Sequence, residues 1–477
     1  MIRTIGLLLL FLAVPATQWA KPLRVGTFDV DASPPVGSPM AYDLTKEVET
    51  PLTCRGIVLV GEDQPIVLCA VDWIGISNDG NREFREALAG AAGTTPQRVA
   101  VHSLHQHDAP WCDFSADALA EQYGIHHEVF DSPFARDVIR RAAAAVRRAV
   151  ENARPVTHIG LGEGTVEKVA SNRRILGSDG KVQYVRWTAT TDPAVREYPE
   201  GVIDPVMKSI SFWDNNRAIA VLTYFATHPQ SYYRTGKANP DFPGLARNQR
   251  QQAKGVPHIH FNGAGGNIGA GKYNDGAHEN RQLLADRMAA GMAQAWDRTR
   301  KISVSASDVK WKSVAVALPA SPFLDSEKLL SDLQNTALPA QNRVAAACGL
   351  AWLQRCQAGD KIDIACLSVG PCRVLHMPGE LFVEYQLAAQ QMRTDLFVAM
   401  AAYGDYAPWY IGTEIAYSQG GYETGPGVSL VASSVEQILV NALQQLLDAT
   451  DKAPGRLGIE AAAREVEFSK MKDSAAK

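Results

Sequence analysis

Apolar positions fall into short runs that alternate with longer amphipathic stretches through most of the chain. Arg55 to Val60 and Pro65 to Val71 are apolar runs flanking Gly61-Glu62-Asp63-Gln64, the pattern of a β-hairpin. Asn81 to Ala92 carries its apolar residues at helical spacing, and Val99 to Ser103 reads as a buried strand. Pro133 to Ala153 predicts a long Ala/Arg-rich helix with Asp131 or Ser132 as N-cap. A second hairpin is predicted from Ser209 to Trp213 and Ala218 to Ala226 about Asp214-Asn215-Asn216. Helices are expected at Leu245 to Lys254 and Glu279 to Thr299, with the strand Pro257 to Phe261 between them. Further strands are expected within Ser303 to Leu318, Ile364 to Met377 and Leu396 to Ala401. Helices are expected within Ser326 to Cys356, at Leu381 to Met392 and at Ser433 to Leu447. No internal repeat or low-complexity linker is visible. One large mixed α/β domain over residues 21–451 is therefore expected, followed by a charged, Ala-rich tail over residues 452–477.

Composition narrows the class without naming a chemistry. The 477 residues are 46% hydrophobic and 21% charged, as in ordinary globular proteins, and the net charge is −4. No basic excess supports a nucleic-acid partner. At the N-terminus, Arg3 precedes the apolar run Leu7 to Val14, then Pro15 and a small residue at Ala20. That is the pattern of a signal peptide over residues 1–20, and the run is shorter than the roughly 20 residues a bilayer span needs. An uncleaved anchor is the alternative. A secreted or periplasmic protein is expected. Export permits disulfides. Cys348/Cys356 and Cys366/Cys372 are close pairs that suggest one or two bridges, and with seven cysteines at least one thiol stays unpaired.

Candidate chemistry sits where strands run out. Three of the chain's 11 histidines fall in Val101-His102-Ser103-Leu104-His105-Gln106-His107. If extended geometry continues, His105 and His107 share a side, since side chains alternate along a strand. Neutral imidazoles are common zinc ligands. Tyr224 to Phe225 similarly lead to His228, which alone reads equally well as a core or turn histidine. Asp241, in the predicted turn Asn239 to Gly244, is a candidate orienter for a ligating histidine. Asn262 to Gly271 is too glycine-rich for a regular element and lacks a P-loop's Lys-Ser/Thr, so it reads as an active-site wall. Glu380 follows a Pro-Gly turn and is expected in the first turn of a helix, where the dipole favours a carboxylate. His376 reads as a core-facing strand residue. Either Arg173 or Arg174 is a candidate for polarising a carbonyl or binding an anionic group, and Ala407 to Glu423 reads as a lining loop.

In order along the chain, these blocks resemble the catalytic domain of the neutral/alkaline, non-lysosomal ceramidases. The resemblance rests on Val25 to Val30 with Pro34 to Gly37, His105 to Pro110, Asn172-Arg173, Phe225 to His228, Asp241 to Gly244, Pro378 to Glu380, and Tyr410 through Glu423. It implies a mixed α/β catalytic domain without that family's C-terminal β-sandwich. It also implies one zinc ion per chain held by His105, His228, Glu380 and Tyr410, with His107, Arg173 and Tyr422 facing the substrate. The family's Gly-Asp-Val-Ser-Pro-Asn block departs here, with Gly269 in place of its serine. A zinc-dependent hydrolase of amide bonds is expected, acting on a small-molecule amide, lipid or glycoconjugate. Peripheral membrane contact is compatible with such a substrate, and no nucleic-acid partner is expected. Alternative readings are a deacylase or esterase acting on a glycan or other non-ceramide substrate, and a secreted binding protein on the same scaffold.

Overall fold

Three times along the chain the same topology recurs: three antiparallel strands, a helical crossover, and a fourth strand parallel to the third. The computed structural model describes residues 22–449, so the expected signal peptide and the charged tail lie outside the described residues. The first unit comprises Arg24–Asp31, Thr53–Val60, Ile66–Val71, the helix Asn78–Ala92 and Val99–Ser103. The second comprises His158–Thr165, Val206–Asp214, Arg217–Phe225, the helix Asp241–Lys254 and His258–Asn262. The third comprises Val309–Val316, Ile362–Val369, Cys372–His376, the helix Val383–Met392 and Phe397–Ala401. The crossover is obligatory in each, because parallel neighbours cannot be joined by a tight turn. A later helix then packs on each sheet: Ser132–Glu151, Glu279–Asp297 and Val435–Leu447.

This repetition left no trace as a sequence repeat, because it is one of topology and burial. One core draws Leu59 and Leu68 from the first sheet, Phe212 and Phe261 from the second, and Leu367 and Val374 from the third. The outer faces form separate cores with the helices, as with Val67 and Val138, Met207 and Met288, or Ile364 and Leu443. With both faces covered, the strands read as continuous apolar runs rather than alternating ones. The first two units are also tied by charge. Arg247, on the second crossover helix, makes paired bonds of 2.6 and 2.9 Å to Asp72, just past the third strand of the first unit.

Several expectations change. The N-cap of Ser132–Glu151 is Asp131, which accepts from the Phe134 amide at 3.1 Å. The helix expected from Leu245 begins at Asp241, so the predicted turn is its first turn. The helix expected from Leu381 begins at Val383, which leaves Glu380 outside it. All seven cysteines are free thiols, so neither predicted bridge is present. Cys348 and Cys356 share the helix Ala340–Gln357 at a separation of eight residues, about 12 Å of rise, whereas a bridge needs Cα atoms within about 7 Å. Cys366 lies opposite Leu375 and Cys372 opposite Val369, three positions apart along the ladder. Among the described residues, no helix is long and apolar enough to cross a membrane.

Candidate metal centre

The carboxyl ends of the third and fourth strands of all three units meet in one cleft, as ligand sites do in open α/β sheets. His105 lies two residues past the fourth strand of the first unit, His228 three past the third strand of the second, and Glu380 four past the third strand of the third. The strand does not continue to His105 as expected. It ends at Ser103, and His105 takes a left-handed conformation with φ 70°. The turn, rather than alternation, brings His105 and His107 to one cavity. Glu380 gains nothing from a helix dipole. It sits in the short strand Glu380–Leu381, paired in parallel with Tyr410–Ile411 so that Glu380 and Tyr410 lie opposite each other.

The donor atoms converge with little to satisfy them. Ring nitrogens of His105, His107 and His228 lie within 4.8 Å of one another, and all three residues are buried. His105 Nδ1 lies 2.6 Å from the Ile74 carbonyl oxygen. A carbonyl only accepts, so Nδ1 carries the proton and, in the neutral ring, Nε2 presents a lone pair. That Nε2 stands 3.2 Å from Glu380 Oε2, which is also 3.5 Å from His228 Nδ1. None of these three atoms has a hydrogen-bond partner. Burial, with His105 close by, holds His107 and His228 well below the usual imidazole range, in the form that binds metal. Buried lone pairs facing one another are costly unless a cation lies between them. Two imidazoles and a carboxylate are a donor set that suits a divalent cation, zinc among them. His107 is close enough to join the set or to serve beside it.

The surrounding residues hold these donors in place. The Tyr406 hydroxyl donates to Glu380 Oε1 at 2.7 Å, and Tyr403 stacks on His105 at 4.7 Å between centroids. Arg173 is buried and donates to the Tyr410 hydroxyl at 3.0 Å, with its Nε 3.1 Å from Glu423 Oε1. Burial works against the Arg173 charge, yet Tyr410 and Glu423 hold the group protonated above its ordinary range. Arg174 turns away to Glu423 Oε2 and the Ala416 carbonyl, a supporting role. Tyr422 is half exposed and meets Tyr410 edge-on at 5.9 Å.

Asp241 does not orient a ligating histidine. It accepts from the Ser231 amide at 3.0 Å and lies 3.6 Å from Arg281. The group that orients His105 is the Ile74 carbonyl, which no side-chain pattern reveals. The glycine-rich segment, expected to be a wall of the site, packs behind it instead: no residue from Asn262 to Gly271 lines either cavity at the histidines. A Cβ at Gly265 would stand 2.5 Å from the Thr227 carbonyl oxygen, and one at Gly266 2.3 Å from the Glu380 carbonyl oxygen. These glycines let the His228 and Glu380 segments approach. Gly269 pairs with Ser171, where a Cβ would stand 3.1 Å from the Thr188 methyl. His376 faces the interior as expected, bonded through Nδ1 to His102 Nε2 at 2.9 Å. Sequence reasoning missed Tyr406 and the anchoring role of Glu423. The aromatic cluster Tyr403 to Tyr406, directly after a strand, is the signal that would have found the first.

No protein-family profile matches the chain, and no curated protein matches it by sequence. Solved structures do. A ceramidase complexed with C2 superposes with a TM-score of 0.65 at 16% identity, covering 91% of this chain and 76% of that one. The neutral ceramidase from Pseudomonas aeruginosa gives the same TM-score and identity over 91% of this chain and 75% of its own. The chain thus has the mixed α/β fold of the neutral ceramidases.

Proposed function

We propose that this protein is a zinc-dependent hydrolase of amide bonds, acting outside the cytoplasm. The observation that carries the reading is the partnerless trio of His105 Nε2, His228 Nδ1 and Glu380 Oε2, buried and aimed at one another. Support also comes from the fold, which is shared with ceramidases. Export rests on the apolar N-terminal run alone.

His105, His228 and Glu380 would hold the ion, with Tyr410 lining both the cavity of His105 and Glu380 and the adjoining cavity of His228. Zinc bound there supplies Lewis acidity, polarising a carbonyl and making nucleophilic water available near neutral pH. Arg173 keeps its charge against the Tyr410 hydroxyl and stabilises negative charge as it develops on the carbonyl oxygen. Tyr422, packed edge-on against Tyr410 and beside Arg173, offers a second hydroxyl. His107, neutral in its buried setting, accepts a proton from the attacking water and returns it to the leaving nitrogen. Gly269 needs no hydroxyl in this scheme, because water is the nucleophile.

Elemental analysis of wild type and His228→Ala, purified without added metal, tests the centre. About one zinc per wild-type chain, lost in the variant, is expected. A wild-type protein that stays metal-free after zinc is supplied would sink the proposal.

A further inference from the structure

Two cavities meet at Tyr42, His107, Tyr410 and Tyr422. The smaller, about 180 Å³, carries His105, His107 and Glu380 on its wall, with Ala41, Ile74, Trp111, Trp409 and Val428 around them. The larger, about 380 Å³, is lined by Arg173, Thr188, Gln230 and Ser231 together with aromatic rings. The Thr188 hydroxyl donates to Gln230 Oε1 at 2.6 Å, which leaves the Gln230 amide nitrogen as a donor for whatever fills the cavity. Three large apolar side chains left open to solvent, Trp187, Tyr233 and Tyr422, gather at this one cavity. Trp187 and Tyr422 meet at 68° with centroids 5.0 Å apart, forming a corner of ring faces.

We propose that the larger cavity binds the amine side of the substrate as a polyhydroxylated ring, an N-acylated amino sugar, and that the smaller cavity takes a short acyl group. Aromatic faces beside convergent hydrogen-bonding groups suit a ligand that is apolar on one face and polar at its rim. A sugar ring has that character. A hydrocarbon chain does not, since it would cover the Gln230 amide and the Arg173 guanidinium and return no bond. The acyl side is limited by volume. At about 180 Å³, with His105 and Glu380 occupying part of its wall, the smaller cavity has room beside them for an acyl group of about six carbons or fewer. A longer chain leaves its remainder in water.

This inference rests on the amide-hydrolase reading for turnover, and its test separates the two. Zinc-loaded protein is given two acetamides, an N-acetylhexosamine glycoside and N-acetyldodecylamine, with acetate release as the readout. The sugar amide is expected to be hydrolysed with kcat/KM at least about tenfold higher. Gln230→Leu and Trp187→Ala are each expected to lower the sugar-to-alkyl ratio of kcat/KM by about tenfold, chiefly through KM for the sugar. Preference for the dodecylamide, or an unchanged ratio in both variants, overturns the inference and leaves the hydrolase reading standing. Glucosamine binding by calorimetry covers the case in which neither amide is cleaved. Saturable binding to wild type that both variants lose then keeps the sugar site while the hydrolase reading fails. Without such binding both fail.

Discussion

Glu380→Gln tests the centre through stability alone, because the substitution has opposite effects with and without a cation. Glu380 Oε2 stands 3.2 Å from His105 Nε2 and 3.5 Å from His228 Nδ1 with no hydrogen bond to either. The Tyr406 hydroxyl anchors the other oxygen at 2.7 Å, so in glutamine the amide nitrogen takes the Oε2 position and donates to His105. One new buried hydrogen bond contributes about 1 kcal/mol. Unfolding entropy of roughly 2 cal/mol/K per residue over about 430 residues makes that a rise of about 1 °C in Tm. With zinc at about a hundred times its Kd, wild type gains roughly 2.7 kcal/mol, or about 3 °C. The variant has lost an anionic donor and gains far less. The order of the two melting curves therefore inverts between chelator and zinc. Circular-dichroism melts of both proteins after dialysis against chelator, then with zinc restored, read this directly. A variant that melts below wild type in both conditions, or a wild type indifferent to zinc, refutes the reasoning.

Two further outcomes follow from the packing. In Gly266→Ala the new Cβ would stand 2.3 Å from the Glu380 carbonyl oxygen, so Glu380 must shift. Zinc content is expected to fall while far-UV circular dichroism stays native, and full zinc occupancy would show that the glycine is not needed for the close approach. Acid is expected to destabilise the fold, since burial pushes His102 and His258 down to about 4, His260 to about 3, and His376 well below its ordinary value. Their folded values lie below the unfolded 6.5, so each contributes stability that is full above that pH and lost as pH falls toward 4. Each is worth about 1.4 kcal/mol per pH unit in that window. Asp113, raised to about 7 by burial, acts in the opposite sense and offsets about one of them. Urea midpoints that stay level from pH 6.5 to 4.5 would contradict this balance.

Most elements were legible because their signals are local. Gly61 to Gln64 and Asp214 to Asn216 turn hairpins whatever surrounds them, and Val99–Ser103 was bounded correctly from its apolar run. Asp131 before Ser132-Pro133 marks a helix start by the capping its own backbone needs. The errors lie where distant contacts override local preference. Glu380 reads as a helix-start residue, yet its backbone pairs with Tyr410–Ile411, thirty residues on, and the helix waits until Val383. Cys348 and Cys356 are close in sequence, but helical rise carries them apart.

By itself the sequence determined the α/β alternation, the strand ends bearing His105 and His228, and the glycines where backbone approaches backbone, since these follow from residue type and short-range geometry. Only the tertiary structure decided that three topologically alike units face their strand ends into one cleft. It alone showed that the Ile74 carbonyl sets the His105 tautomer and that two cavities meet at His107. A backbone carbonyl has the same chemistry at every position, and a cavity belongs to no single segment. Neither is visible until packing of apolar faces has brought remote parts of the chain together.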